Sequence, residues 1–186
     1  MGRPKLFSRE AVLNDAMALF WQKGFADTSL QDIEHATGVN KSGLYTEFKN
    51  KEDIFLQSLR HYYADRASTE ILSAKPQGWD NIQRFLAVGQ TCYNGQRGCF
   101  SINSLRDISQ LPPEARAIVD GYNAQYKRLI IANIKAERPG IANAPLLADM
   151  TMTFFSGLCI EENTDPRPSA VSRKIASFMD FLRQSK

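Results

Sequence analysis

The sequence predicts an all-α protein: an N-terminal three-helix helix-turn-helix domain followed by a larger helical bundle, with about nine helices in its 186 residues. Three observations predict this. Apolar residues recur at i, i+3 and i+4 in every periodic segment, and no stretch alternates with the period of a strand. Gly and Pro clusters such as Pro76-Gln77-Gly78, Pro139-Gly140 and Pro166-Arg167-Pro168 separate the segments. Near the N-terminus two short helical patterns are joined by a single tight turn at Gly38.

In chain order, residues 1–7 form a short arm, extended by Pro4 and carrying Arg3 and Lys5. Ser8 caps a helix running to about Lys23, with Val12, Leu13, Ala16, Met17, Leu19 and Phe20 on its apolar side, and Gly24 stops it. Thr28 begins the next helix as a capping box with Gln31, ahead of Leu30, Ile33 and Ala36. Gly38 ends that helix in a left-handed position. Asn40 caps a helix from Lys41 to Phe48, in which Leu44 and Phe48 point inward while Lys41, Ser42, Tyr45 and Thr46 face elsewhere. A long helix follows Lys51 to about Ile71, through Ile54, Phe55, Leu59 and Tyr62 or Tyr63. Phe85, Leu86, Val88 and Cys92 share one helix, and Cys99 to Ile108 form a short segment. Ile118 to Ile134 lie on a long helix that starts at Pro112-Pro113. The last two helices carry Leu147, Met150, Phe154, Phe155 and Leu158, and then Val171, Ile175, Phe178 and Leu182.

The stretch Thr28 to Lys51 carries the functional argument. A helix whose outer face holds Lys, Ser, Gly, Tyr and Thr suits base edges and phosphates in a DNA groove. Gly24-Phe25, Thr28-Ser29, Ile33, Gly38-Val39, Leu44-Tyr45, Phe48 and Lys49-Asn50-Lys51-Glu52 stand at the spacing of a known signature. By it, roughly the first third of the chain resembles the DNA-binding domain of the TetR family of bacterial transcriptional regulators. The resemblance and the exposed face together give a DNA-binding set of Arg3, Lys5, Thr28, Ser29, Lys41, Ser42, Gly43, Tyr45, Thr46, Lys49 and Lys51. Arg3 would enter a narrow minor groove. Lys51 lies at a helix N-terminus, which favours phosphate. Gly43 would let the backbone approach DNA closely. Three positions depart from the family: Glu47 replaces a frequent His, Thr46 a frequent aromatic, and Glu34 a frequent Ala.

The resemblance divides the chain into a DNA-binding domain at 1–50 and an effector-binding and dimerisation domain at 51–186. It implies a repressor released from operator DNA by a small molecule, and a homodimer. The broad apolar stripes of the last two helices suit a four-helix seam made with a second copy, through Leu147, Met150, Phe154, Leu158, Val171, Ile175, Phe178 and Leu182. Polar and aromatic residues on otherwise apolar central helices are the effector candidates: Gln90, Tyr93, Cys99, Asn103, Tyr122, Tyr126 and Phe155. Gly98-Cys99-Phe100 with Asn103 is similar to a subgroup of the family that has a Gly-Cys motif and includes a copper-responsive repressor. An alternative reading is therefore a sensor of oxidants, electrophiles or metal through Cys99 and Cys92, with Cys99 activated by its place near a helix start. A further alternative, favoured by Glu47, is a helical interaction protein without DNA binding.

Composition narrows the classes without choosing among them. Residues 1–51 hold seven Lys/Arg and six Asp/Glu, a net +1, so the charges must act through placement rather than excess. Three cysteines without close spacing give neither a disulfide framework nor a metal-ligand pattern, and neither a metal nor another cofactor is expected. No Walker loop, HExxH, G-x-S-x-G or paired-carboxylate arrangement occurs, so no catalytic residues are assigned and an enzyme is not expected. No signal-peptide layout or membrane-length apolar run is present, and a cytoplasmic protein is the expectation.

Overall fold

The computed structural model describes residues 7–88, 96–105, 108–164 and 167–185. Among them are ten α-helices and no strand: α1 (Arg9–Lys23), α2 (Leu30–Thr37), α3 (Lys41–Glu47), α4 (Lys51–Asp65), α5 (Ser68–Ser73), α6 (Trp79–Val88), α7 (Phe100–Leu105), α8 (Pro113–Glu137), α9 (Ala144–Thr164) and α10 (Pro168–Gln184). A 3₁₀ turn, Ile108–Gln110, precedes α8. The chain forms two compact units, Met1–Asp65 with Asn103–Val119, and Arg66–Ile102 with Asp120–Lys186.

In the first unit α1 packs on α2 and α4. Ser8 caps α1 through a bond from the Ala11 N–H, as its sequence predicts. Val12, Leu13, Ala16, Met17, Phe20 and Trp21 are buried against Ile54, Phe55, Leu59, Tyr62 and Tyr63 of α4 and Ile33 of α2. Aromatic edges interlock there. Phe20 meets Phe55 edge-on at 5.2 Å and Trp21 meets Tyr62 at 5.4 Å, the arrangement that opposed ring quadrupoles favour. A polar tie between α1 and α4, His61 Nε2 to Asn14 Oδ1 at 2.8 Å, lies at the half-buried margin.

The helix expected to continue to Ile71 breaks after Asp65. Arg66 turns aside there, and its guanidinium donates to the Val88 carbonyl at 2.8 Å, meeting an acceptor that the end of α6 leaves open. Ser68 then starts α5 with its side chain buried.

In the second unit α5 and α10 pack on α6. Asn133 of α8 is completely buried and makes four hydrogen bonds. Its Oδ1 accepts from Gly78 N and Asn81 Nδ2, and its Nδ2 donates to the Leu72 and Leu129 carbonyls. It thereby fixes the α5–α6 connection to α8. Phe85 stacks on Phe155 at 4.6 Å and lies against Tyr126 at 5.6 Å, joining α6, α9 and α8 in one aromatic core.

The seam expected between two copies is largely used inside one chain. Leu147, Leu158, Val171, Ile175 and Leu182 are all buried within the second unit, because the stripe that these positions define faces the neighbouring helices of the same bundle. Met150 stays exposed, and Phe154 and Phe178 are half-buried and stacked on each other at 4.2 Å. The apolar residues left outside lie about a third of a turn away: Leu146, Met150 and Ile160 on α9 and Phe181 on α10.

Asn133→Ala should lower unfolding stability by about 3 kcal/mol, because it leaves the Gly78 N–H and the Leu72 carbonyl buried without that partner. Urea denaturation checks this, with a lower midpoint and an unchanged slope expected; a midpoint like the wild type's would refute it.

Candidate nucleic-acid interface

Local sequence builds the α2–α3 pair. The cap of α2 is Ser29, one residue later than the sequence suggested, and the box is closed by Asp32 rather than Gln31. Ser29 Oγ accepts from Asp32 N at 3.1 Å, while the Asp32 carboxylate accepts from Ser29 N at 2.8 Å and Ser29 Oγ at 2.7 Å. Lys23 Nζ, 2.7 Å from Asp32, completes the cluster. The Lys23 and Ser29 bonds hold the Asp32 carboxyl well below the usual carboxylate range. A carboxyl depressed on folding stabilises the fold above its unfolded pKa, and that contribution is lost as pH falls through the depressed value. The cap therefore remains ionised well into acid.

Gly38 takes φ +65°, the left-handed conformation that lets α2 stop and the chain reverse. Asn40 Oδ1 then accepts from Gly43 N at 2.8 Å and starts α3. Glu34 reaches from α2 to accept the Lys41 N–H. The position that departs from the family thus has a partner, and it closes one of the donors at the head of α3. Below these caps Ile33, Val39, Leu44 and Phe48 are buried and hold α3 by its inner side.

The outer side of α3 presents Lys41, Ser42, Tyr45 and Thr46 to solvent, as the sequence predicts. Lys41 Nζ lies 5.7 Å from the Tyr45 ring centroid, a cation–π contact that keeps the two together. Thr46 Oγ1 donates to the Gly43 carbonyl. Lys49 is exposed just beyond α3, and its main-chain N–H bonds to Asp53, so the amine is carried on a fixed backbone. Ser29 is exposed but bound into the α2 cap.

Two members of the expected set are turned inward. Thr28 is fully buried and its hydroxyl donates to the Gly24 carbonyl at 2.7 Å. Lys51 points into the first unit. Its amine donates to the carbonyls of Phe25 and Thr28 at 3.0 and 2.8 Å and lies 4.3 Å from the centre of the Phe25 ring. A Cβ on Gly43 would meet Val39 Cγ1 at 2.8 Å, so this glycine serves the packing of α3 on the turn. Arg3 and Lys5 lie outside the described residues. Sequence reasoning passed over Arg9, whose guanidinium lies 5.0 Å over the Phe48 ring at the end of α3. Its only signal is its place immediately after the Ser8 cap.

Of the effector candidates, Gln90 and Tyr93 lie outside the described residues, as does Cys92. Cys99, Tyr126 and Phe155 are buried in the second unit. Burial pushes the Tyr126 hydroxyl up to about 12, against a hydrogen bond from Ser68 that lowers it. Asn103 and Tyr122 are half-buried. A groove of about 610 Å³ between α8 and α9 is lined by other residues, among them Asp120, Asn123, Lys127, Asp149 and Ser156. Cys99 precedes a six-residue α7, too short to supply the helix-terminus activation that the sequence suggested.

Two short helices held by buried anchors around a left-handed turn, with a polar and basic outer face, define a helix-turn-helix DNA-binding protein. Residues 12–57 match the model for bacterial regulatory proteins of the tetR family. The chain is 36% identical over 170 residues to the HTH-type transcriptional repressor ComR of Escherichia coli K12, covering 86% of this chain and 81% of that one. It is 28% identical over 159 residues to the repressor BdcR of the same organism, covering 84% and 80%. The fold is that of the TetR family regulator CifR, in a cysteine-mutant form complexed with 26-bp double-strand operator DNA. There the TM-score is 0.80 at 22% identity, over 99% of this chain and 100% of that one. The chain belongs to the tetR family of bacterial regulatory proteins, and is a DNA-binding transcriptional regulator.

The different engagement of two lysines gives a test. Lys49→Ala should reduce the slope of log affinity against log salt by about one while leaving stability unchanged. Lys51→Ala should instead cost about 2 kcal/mol of stability, because two carbonyls lose a charged donor. Salt titration of DNA binding and urea denaturation of both variants separate the two roles, and a Lys51 variant with wild-type stability would return that residue to the phosphate set.

Proposed function

We propose that this chain is a homodimeric cytoplasmic repressor whose N-terminal part, residues 1–50, reads an operator, and whose remainder, 51–186, dimerises and binds a small-molecule effector that releases the DNA. The observation that carries the DNA reading is the outer face of α3, where buried Leu44 and Phe48 hold Lys41, Ser42, Tyr45 and Thr46 outward. Lys41 and Ser42 stand in the first turn, the part of a recognition helix that reaches base edges. Tyr45 and Lys49 supply phosphate contacts. The names of the relatives support repression rather than activation. Release follows from linkage: an effector that binds the DNA-incompetent state better lowers DNA affinity by its preference for that state. Gly98-Cys99-Phe100 and Asn103 support a place in the Gly-Cys subgroup. No described helix is long and apolar enough to cross a membrane.

A second copy is the occupant proposed for the outer face of α9 and α10. Leu146, Met150, Gly157 and Ile160 follow one another along α9, with Phe181 on α10 beside them. Gly157 adds an independent argument. A Cβ there would meet nothing within 4 Å, so the single chain gives no reason for a mid-helix glycine that costs about 1 kcal/mol relative to Ala. Close approach of a second helix supplies one.

Fluorescence anisotropy with DNA from beside the protein's own gene tests the first reading. Affinity should exceed that for random DNA by about a thousandfold and fall steeply with salt. Lys41→Ala should cost about 1–3 kcal/mol at one base pair per half-site. Equal binding of both DNAs at low salt would overturn the repressor. Ile160→Glu should convert a dimer into a folded monomer in analytical ultracentrifugation; a dimer that persists would move the interface elsewhere.

A further inference from the structure

Cys99 and Cys159 are buried thiols of the second unit, in no disulfide. They come from distant parts of the sequence, one just ahead of α7 and the other inside α9, yet they meet: the Cys159 thiol shares a hydrogen bond with Cys99. Cys99 Sγ also lies 3.1 Å from Ser101 Oγ. The backbone is built for this approach. Gly98 takes φ +74°, and a Cβ there would stand 2.7 Å from the Cys159 carbonyl oxygen and 2.6 Å from Asn163 Oδ1. A side chain at position 98 would push the segment off α9, so the glycine brings Cys99 against the turn of α9 that carries Cys159.

The hydrogen bond with Cys99, then burial, then the neighbouring Cys99 sulfur push the Cys159 thiol far above its ordinary range. One thiol beside another is the arrangement in which an oxidised sulfur is resolved by its neighbour.

We infer that Cys99 and Cys159 are a dithiol that a hydroperoxide converts into an intramolecular disulfide, and that this bond lowers DNA affinity. The thiolate of one cysteine attacks one peroxide oxygen, the O–O bond breaks, and a sulfenic acid forms as hydroxide leaves and takes up the proton that the thiol released. The sulfur of the other cysteine then attacks the oxidised sulfur: the S–S bond forms, the S–O bond breaks, and the thiol proton leaves with the hydroxyl as water. Two thiols and one hydrogen peroxide give one disulfide and two waters, and a small dithiol reverses the step. The product ties the Gly98-Cys99 segment covalently to α9, the helix whose outer side carries Met150, Gly157 and Ile160. The effect on DNA rests on the repressor reading; formation of the bond does not.

The test uses the full-length reduced protein, treated with hydrogen peroxide, alkylated and mapped as peptides without reductant. A Cys99–Cys159 cross-linked peptide lighter by two hydrogens, removed by dithiothreitol, is expected from the wild type, and none from Cys159→Ala. Unlinked thiols after treatment, or a Cys99–Cys92 or interchain bond in its place, would overturn the inference, and this arm needs no variant to fold. In anisotropy, oxidation should weaken binding of own-promoter DNA about tenfold in the wild type and leave Cys159→Ala unchanged. A complete cross-link with unaltered affinity would overturn the switch. A reduced protein with no preference for that DNA would defeat the repressor reading instead, while the peptide map still decides the disulfide.

Discussion

Leu44 and Phe48 are the points from which the DNA-reading part of this molecule hangs. They are buried among Ile33, Val39 and the α1–α4 core, so α3 cannot rotate about its axis without exposing them. A helix of seven residues has little stability of its own, and its persistence comes from that packing and from the caps supplied by Asn40 and Glu34. With the inner side fixed, the outward direction of Lys41, Ser42, Tyr45 and Thr46 follows from helix geometry alone. The turn depends on the same anchors, since Val39 packs inward only because Gly38 has already reversed the chain.

Buried polar bonds do comparable work in the rest of the chain. Lys51 is attached to the carbonyls of Phe25 and Thr28 and joins the start of α4 to the loop before α2. Asn133 does the same for the α5–α6 connection. Both act where backbone groups in irregular segments need partners, and an apolar residue could not replace either.

The helices were legible in sequence because their signals are local: periodic apolar residues, caps such as Ser8 and Asn40, and stops such as Gly24 and Gly38. The exposed face of α3 was legible for the same reason. What was not legible depended on where a long side chain ends. Lys51 reads as a phosphate ligand from its position at a helix start, and only the fold reveals two carbonyls within its reach. Thr28 and Ser29 are equally good caps on paper, and the choice falls to the one whose partner three residues on is an aspartate. The apolar stripes of α9 and α10 were found, but a stripe does not say which neighbour covers it, and burial within one bundle took Leu147, Leu158, Val171, Ile175 and Leu182. Cys159 drew no attention because its partner lies 60 residues away in the chain.

The separation of anchors from readers in α3 has an evolutionary consequence. Leu44 and Phe48 carry the helix, while Lys41, Ser42 and Tyr45 contribute little to holding it. Substitutions at those outer positions therefore alter what is recognised at almost no expense in stability. A duplicated gene could drift toward a new operator one side chain at a time, each intermediate folding as well as its parent, with the α2–α3 framework left intact.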